Sequence, residues 1–142
     1  MAEPLVITAN DWLEKALQEG IASHALADAG LWSQAFYHAG FAVECALKYL
    51  IMRRGGLNAW PDRNDARHLY THDLVVLAQE AGLALALAME LDRRSEIGIC
   101  WLIAKDWKNE TRYDPLPMPE PRARDMVAAI GDRGLLTWLI NF

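Results

Sequence analysis

Tyr37-His-Ala-Gly-Phe-Ala-Val-Glu-Cys-Ala-Leu-Lys-Tyr-Leu-Ile51 is an alanine-rich helical stretch that stays apolar around most of its circumference while carrying His38, Glu44 and Lys48. At 100° per residue, Gln34, Tyr37, His38, Phe41, Glu44 and Lys48 fall within about a third of the helix, and Trp32, Ala35, Ala39, Val43, Ala46 and Leu50 cover much of the rest. The pattern predicts a helix buried on more than one side, with its polar groups gathered in one stripe, inside or at an interface. Within that stripe Glu44 and Lys48 stand four residues apart in the favourable order, which on its own reads as an ordinary ion pair on the helix surface.

Working outward, Thr8 or Asn10 can cap a first helix from about Asp11 to Ala29, broken by Gly30. The second helix runs from about Leu31 to Arg54 and stops at Gly55-Gly56, so a tight turn makes the two a long antiparallel pair. Residues 55–70, with glycines, Pro61 and several charged side chains, read as an exposed loop. Thr71 is the expected N-cap of a short third helix, with Asp73 in its first turn and Gly82 at its end. A fourth helix is expected over roughly Ala84 to Trp107. Pro115, Pro117, Pro119 and Pro121 then favour an extended connection, and a last helix follows from Glu120–Arg122 to the C-terminus. No strand-length alternation, hairpin signal or internal repeat competes. The expected fold is all-α, an up-and-down bundle of about five helices in one domain over 1–142.

Composition bounds the function. A chain of 142 residues with 53% hydrophobic and 23% charged side chains and six tryptophans is a folded globular protein with a large core. The net charge of −5 argues against a broad electrostatic grip on nucleic acid, so any such contact is local. Arg53, Arg54, Arg63 and Arg67 form the best basic cluster, but Asp62 and Asp65 dilute it and it reads as a solvated loop. Cys45 and Cys100 lack metal-finger spacing and read as small buried hydrophobes in a reducing cytoplasm. The first residues lack the pattern of a signal peptide, and no stretch reaches the length of a membrane span. A soluble cytoplasmic protein without membrane contact is the expectation.

No phosphate-binding glycine loop, nucleophile elbow or HExxH motif is present. His68 and His72 are four apart, but a cap at Thr71 places His68 outside the helix, and no metal or cofactor is expected. The segment Trp107-Lys-Asn-Glu-Thr-Arg-Tyr-Asp-Pro115 crowds aromatic, cationic and carboxylate groups before the proline connection. There Arg112 can meet a phosphate and Tyr113 can stack on a base, or Arg112 can hold the loop to the bundle through Glu110 or Glu44.

Three motifs in this order, Tyr37 to Lys48, Thr71-His-Asp-Leu74 and Arg112-Tyr113-Asp-Pro115, resemble those of the HEPN family, helical domains named for nucleotide binding in higher eukaryotes and prokaryotes. The resemblance implies a four-helix core plus an additional helix, a homodimer, and a polar cleft near the dimer interface. It also implies one of two roles: a toxin or defence ribonuclease that cleaves RNA without metal, or a partner of a small nucleotidyltransferase in a toxin-antitoxin or defence system. In the ribonucleases an Arg is followed four to six residues later by His; here Arg112 matches, but Pro117, Met118 and Pro119 stand where the His belongs. The same spacing from Arg67 to His72 falls at the start of the third helix, away from the family's catalytic position.

The leading expectation is therefore a non-catalytic module that binds a nucleotide, RNA or a nucleotidyltransferase through Glu44, Lys48, His72, Arg112 and Tyr113. The alternative is a metal-independent endoribonuclease in which His72 or His38 works with Arg112.

Overall fold

The computed structural model describes residues 6–142, and among these every regular element is helical. Helix α1 spans Ala9–Asp28 and α2 spans Trp32–Gly55. They are followed by α3 (Leu74–Glu80), α4 (Ala84–Asp92), α5 (Glu96–Ala104), α6 (Glu120–Ala129) and α7 (Leu135–Ile140). Short 3-10 turns occupy Arg67–Leu69 and Asn109–Tyr113.

Strong local signals fix the first two helices. Thr8 closes a capping box: its hydroxyl accepts from the Asp11 amide while the Asp11 carboxylate accepts from the Thr8 amide. Gly56, at φ 63°, ends α2 in the left-handed region that glycine enters without strain, with Arg53 and Arg54 in the last turn beside the negative end of the helix dipole. Helix α2 is the centre of the molecule, packing against α1, α3, α6, α7 and the Asn109–Tyr113 turn. Its Ala35, Ala39, Ala42, Val43, Ala46, Leu47 and Leu50 are fully buried. Small residues on both helices of the pair, including Ala16 and Ser23 of α1, let the two backbones approach.

Two of the expected helices are each broken in two, which makes seven helices in place of five. Ala84 to Trp107 is interrupted at Arg93-Arg94. Arg94 adopts φ 54°, and the Ser95 hydroxyl caps the new helix by accepting from the Gly98 amide. Gly98 lies against the preceding turn, where an added Cβ would stand 2.3 Å from the Glu90 carbonyl oxygen. The C-terminal helix is likewise interrupted across Gly131–Gly134, with Arg133 at φ 61°. Helices α3 and α4 meet at 117° around Gly82. These bends replace the simple up-and-down path by a folded-back set of short helices.

Smaller differences follow the same logic. Asp73, not Thr71, caps α3, accepting from the Val75 and Val76 amides, while the Thr71 hydroxyl accepts from the Asp73 amide. Pro121 lies inside the first turn of α6, where its missing N–H costs nothing. Cys45 is fully buried, and burial pushes its thiol up to about 12, whereas Cys100 is half-buried rather than part of the core. No single helix among the described residues is long and apolar enough to cross a membrane.

Candidate functional site

Glu44 and Lys48 do not form a surface pair. Glu44 is 1% exposed and Lys48 7%, because α1 and the loop after α2 close over this part of the stripe. A carboxylate so deeply placed must find partners or neutralise. It finds two: Lys48 Nζ donates to Oε2 at 3.2 Å, and His72 Nδ1 lies 2.8 Å from Oε1. Lys48 is further shielded by aromatic faces, its Nζ lying 5.0 Å from the Trp12 ring centroid and 5.6 Å from that of Trp60. Trp60 packs edge-on against Trp12 and at a tilt against Tyr70, so the loop after α2 is pinned over the ammonium group.

The residue four positions before His72 goes elsewhere. His68 sits on the Arg67–Leu69 turn and faces Glu80 at 3.6 Å. The basic cluster disperses too: Arg53 lies over Tyr49, Arg54 over Phe142 and Arg63 over Tyr70.

His72 is exposed, and it lines a pocket of about 500 Å³ between Tyr70–Val75 and Lys105–Glu110. The walls carry Thr71, Lys105, Lys108 and Asn109 together with the carboxylates of Asp73, Asp106 and Glu110, and Lys105 Nζ donates to Asp106 Oδ1 at 3.1 Å. Trp107 forms the floor on the α2 side. Its indole fills the space that a side chain at position 40 would need, since a Cβ on Gly40 would lie 2.2 Å from the ring. Gly40 is thus the residue of the opening stretch that lets the 105–113 segment dock on α2.

From that dock the Asn109–Tyr113 turn brings Arg112 to the stripe. The guanidinium pairs with neither Glu110 nor Glu44. Its Nη1 donates to the Tyr37 hydroxyl at 3.2 Å, and its Cζ lies 5.6 Å from the Tyr37 ring and 4.6 Å from the Tyr113 ring. Arg112 and Tyr113 are both exposed. No carboxylate forms a salt bridge with Arg112 among the described residues, so the cation is held in place by aromatic faces and keeps its charge for an incoming anion.

At the other edge of the stripe, His38 Nδ1 is hydrogen-bonded to Glu19 Oε2 of α1, and Lys15 Nζ donates to Glu19 Oε1 at 3.0 Å. Burial pushes the Glu19 carboxyl up, but the bonds from His38 and Lys15 and their charges outweigh it, and the group ends below its usual range. Lys15 is raised, first by its bond to Glu19. Sequence reasoning singled out His38 but not Glu19. The two lie nineteen residues apart on different helices, and only the α1–α2 register, which places Glu19 across from His38, joins them.

The stripe therefore runs from Arg112 and Tyr37, past His38 and Phe41, to Glu44, His72 and Lys48. By helical rise it is roughly 16 Å from Tyr37 to Lys48. The chain matches no protein-family model, no curated protein and no solved structure.

Proposed function

We propose that the chain is a HEPN-like binding module whose α2 stripe and adjoining pocket hold a phosphate-bearing ligand, a nucleotide or a short single-stranded RNA. The observation that carries this reading is Arg112: an exposed guanidinium, steadied by Tyr37 and Tyr113 and paired with no carboxylate among the described residues, two positions beyond the Glu110 that ends the pocket wall. A guanidinium so placed can grip a phosphate through two parallel N–H groups, and the exposed Tyr113 ring offers a face for a base. His72, held by buried Glu44, and Lys108 of the pocket supply further donors. The motif resemblance set out above supports the same reading, and with it an all-α HEPN-like bundle.

The net charge of −5 limits the grip to one or two phosphates, so the expected binding is local and only mildly salt-dependent. Fluorescence anisotropy with a labelled short oligoribonucleotide tests it. Binding should weaken about tenfold in Arg112→Ala, the scale of one charge-assisted hydrogen bond lost. An oligonucleotide that does not bind, or binds Arg112→Ala as well as wild type, overturns the reading.

The resemblance also implies a homodimer. Its support here is the large apolar side chains left open to solvent on two adjoining helices, Leu85 of α4 and Ile99 and Leu102 of α5, which are 75%, 52% and 55% exposed. Light scattering at tens of micromolar should give twice the 16.0 kDa chain mass, and a monomeric mass would count against it.

A further inference from the structure

We infer that the cleft beneath the proline connection is a second binding site, and that its ligand is a free apolar α-amino acid. The inference goes beyond the phosphate reading, because this cleft and the His72 pocket share no lining residue.

Alternating prolines remove every second amide donor from the connection, and its remaining amides are tied down locally. The Leu116 amide donates to Asp114 Oδ1 at 3.0 Å, and the Met118 amide donates to Ser33 Oγ at 2.8 Å. The connection is thereby moored to the first turn of α2, while the Leu116 side chain stays 74% exposed. Between it, Ser33 and Arg122 of α6 lies a cleft of about 330 Å³. That is near the lower end of small-molecule sites, about 300–1,000 Å³, so the ligand it fits has few heavy atoms.

The polar groups of the cleft divide into uncommitted donors and uncommitted acceptors. The Arg122 guanidinium lies 5.5 Å from the Phe36 ring centroid and forms no salt bridge among the described residues. Its neighbour Glu120 is engaged by Arg124 at 2.9 Å. Ser33 Oγ accepts from the Met118 amide, which leaves its own proton to donate. Arg122 and Ser33 together suit a carboxylate, and Ser33 sits in the first turn of a helix that no side chain caps, where the dipole favours negative charge.

Thr111 and Asp114 have the opposite bias. The Thr111 hydroxyl has given its proton to the Lys108 carbonyl at 2.8 Å, and Asp114 uses only Oδ1, so both keep free lone pairs. They suit an ammonium group. Leu116 to Pro119 supply the apolar wall. A phosphate dianion would meet the Asp114 carboxylate here, and no aromatic ring lines the cleft to stack on a base. An α-amino acid carries a carboxylate and an ammonium group on one carbon, and an apolar side chain on it would cover the exposed Leu116.

Titration calorimetry of the full chain with L-leucine tests the assignment. N-acetyl-leucine, which lacks the ammonium group, and leucinamide, which lacks the carboxylate, should each bind about tenfold more weakly. Glycine, without the apolar body, should lose a similar factor. Arg122→Gln should weaken leucine binding about tenfold, and so should Asp114→Asn, which keeps an oxygen for the Leu116 amide and removes only the charge. Both side chains are exposed, so urea midpoints matching wild type will show that the fold is intact. No binding at millimolar leucine, equal affinity for N-acetyl-leucine, or an affinity unchanged by Arg122→Gln overturns the proposal.

Discussion

Helices α1 and α2, of 20 and 24 residues, and helices α3 to α7, none longer than 10, are built on opposite plans. The first pair runs uninterrupted because its caps, Thr8 and Gly56, sit at the ends, and its small residues permit close packing throughout. In the second region the break at Arg94 folds α5 back on α4 and against α6 and α7, and the break at Arg133 turns α7 onto α2. The long pair supplies a straight frame for the polar stripe. The broken region supplies loops that carry Arg112 and the pocket wall onto that frame, so positioning and contact are divided between the two.

The division can be tested at its strongest point first. Leu47, fully buried in the long pair, should cost about 2–5 kcal/mol on replacement by Ala, read as a lowered midpoint in urea unfolding with an unchanged slope. A smaller loss at this site would mean that the frame is not the stable part. In the broken region Gly98→Ala forces a methyl group against the Glu90 carbonyl, a backbone atom that cannot swing aside. About 1–3 kcal/mol should be lost, and a neutral result would show that the α4–α5 bend is soft.

Arg94→Gly probes the bend from the other direction. Relief of the left-handed conformation, worth about 1–2 kcal/mol, is partly cancelled by the greater freedom of glycine in the unfolded chain. The melting temperature should rise by a few degrees, and a fall would show that the arginine side chain itself holds the break.

These breaks mark where the sequence stopped being legible. Thr8, Gly30 and Gly55-Gly56 announced the long pair through local chemistry alone. Ser95 is as good an N-cap as Thr8, but continuous apolar spacing from Leu87 to Leu102 masked it, and the Gly131-Asp-Arg-Gly134 stretch was similarly absorbed into a helical period. The site was half legible. Glu44, His72, Lys48 and Arg112 were identifiable by type and order, yet the shielding of Lys48 depends on Trp12 and Trp60 arriving from distant segments. The docking of Trp107 on Gly40 likewise requires the folded chain, and the same holds for the Glu19–His38 contact.

The smallest expected effect concerns that contact. The Glu19 carboxyl titrates below its ordinary value of 4.5, so between that value and its lower folded one the unfolded chain binds more protons than the native chain. Stability contributed by Glu19 is therefore present above the unfolded pKa and is lost as pH falls through the folded one. Urea midpoints measured from pH 7 downward should drop across that window more steeply in wild type than in Glu19→Gln. Parallel curves would show that the carboxylate adds nothing to the joint between α1 and α2.

Cys45 sits in the middle of that joint with its thiol raised to about 12, while Cys100 is half-open to solvent. The protein thus carries a built-in clock. A thiol reagent will modify Cys100 in the folded molecule but reach Cys45 only when α1 lifts from α2, so the slower of the two labelling rates counts the openings of the helical pair without any added probe.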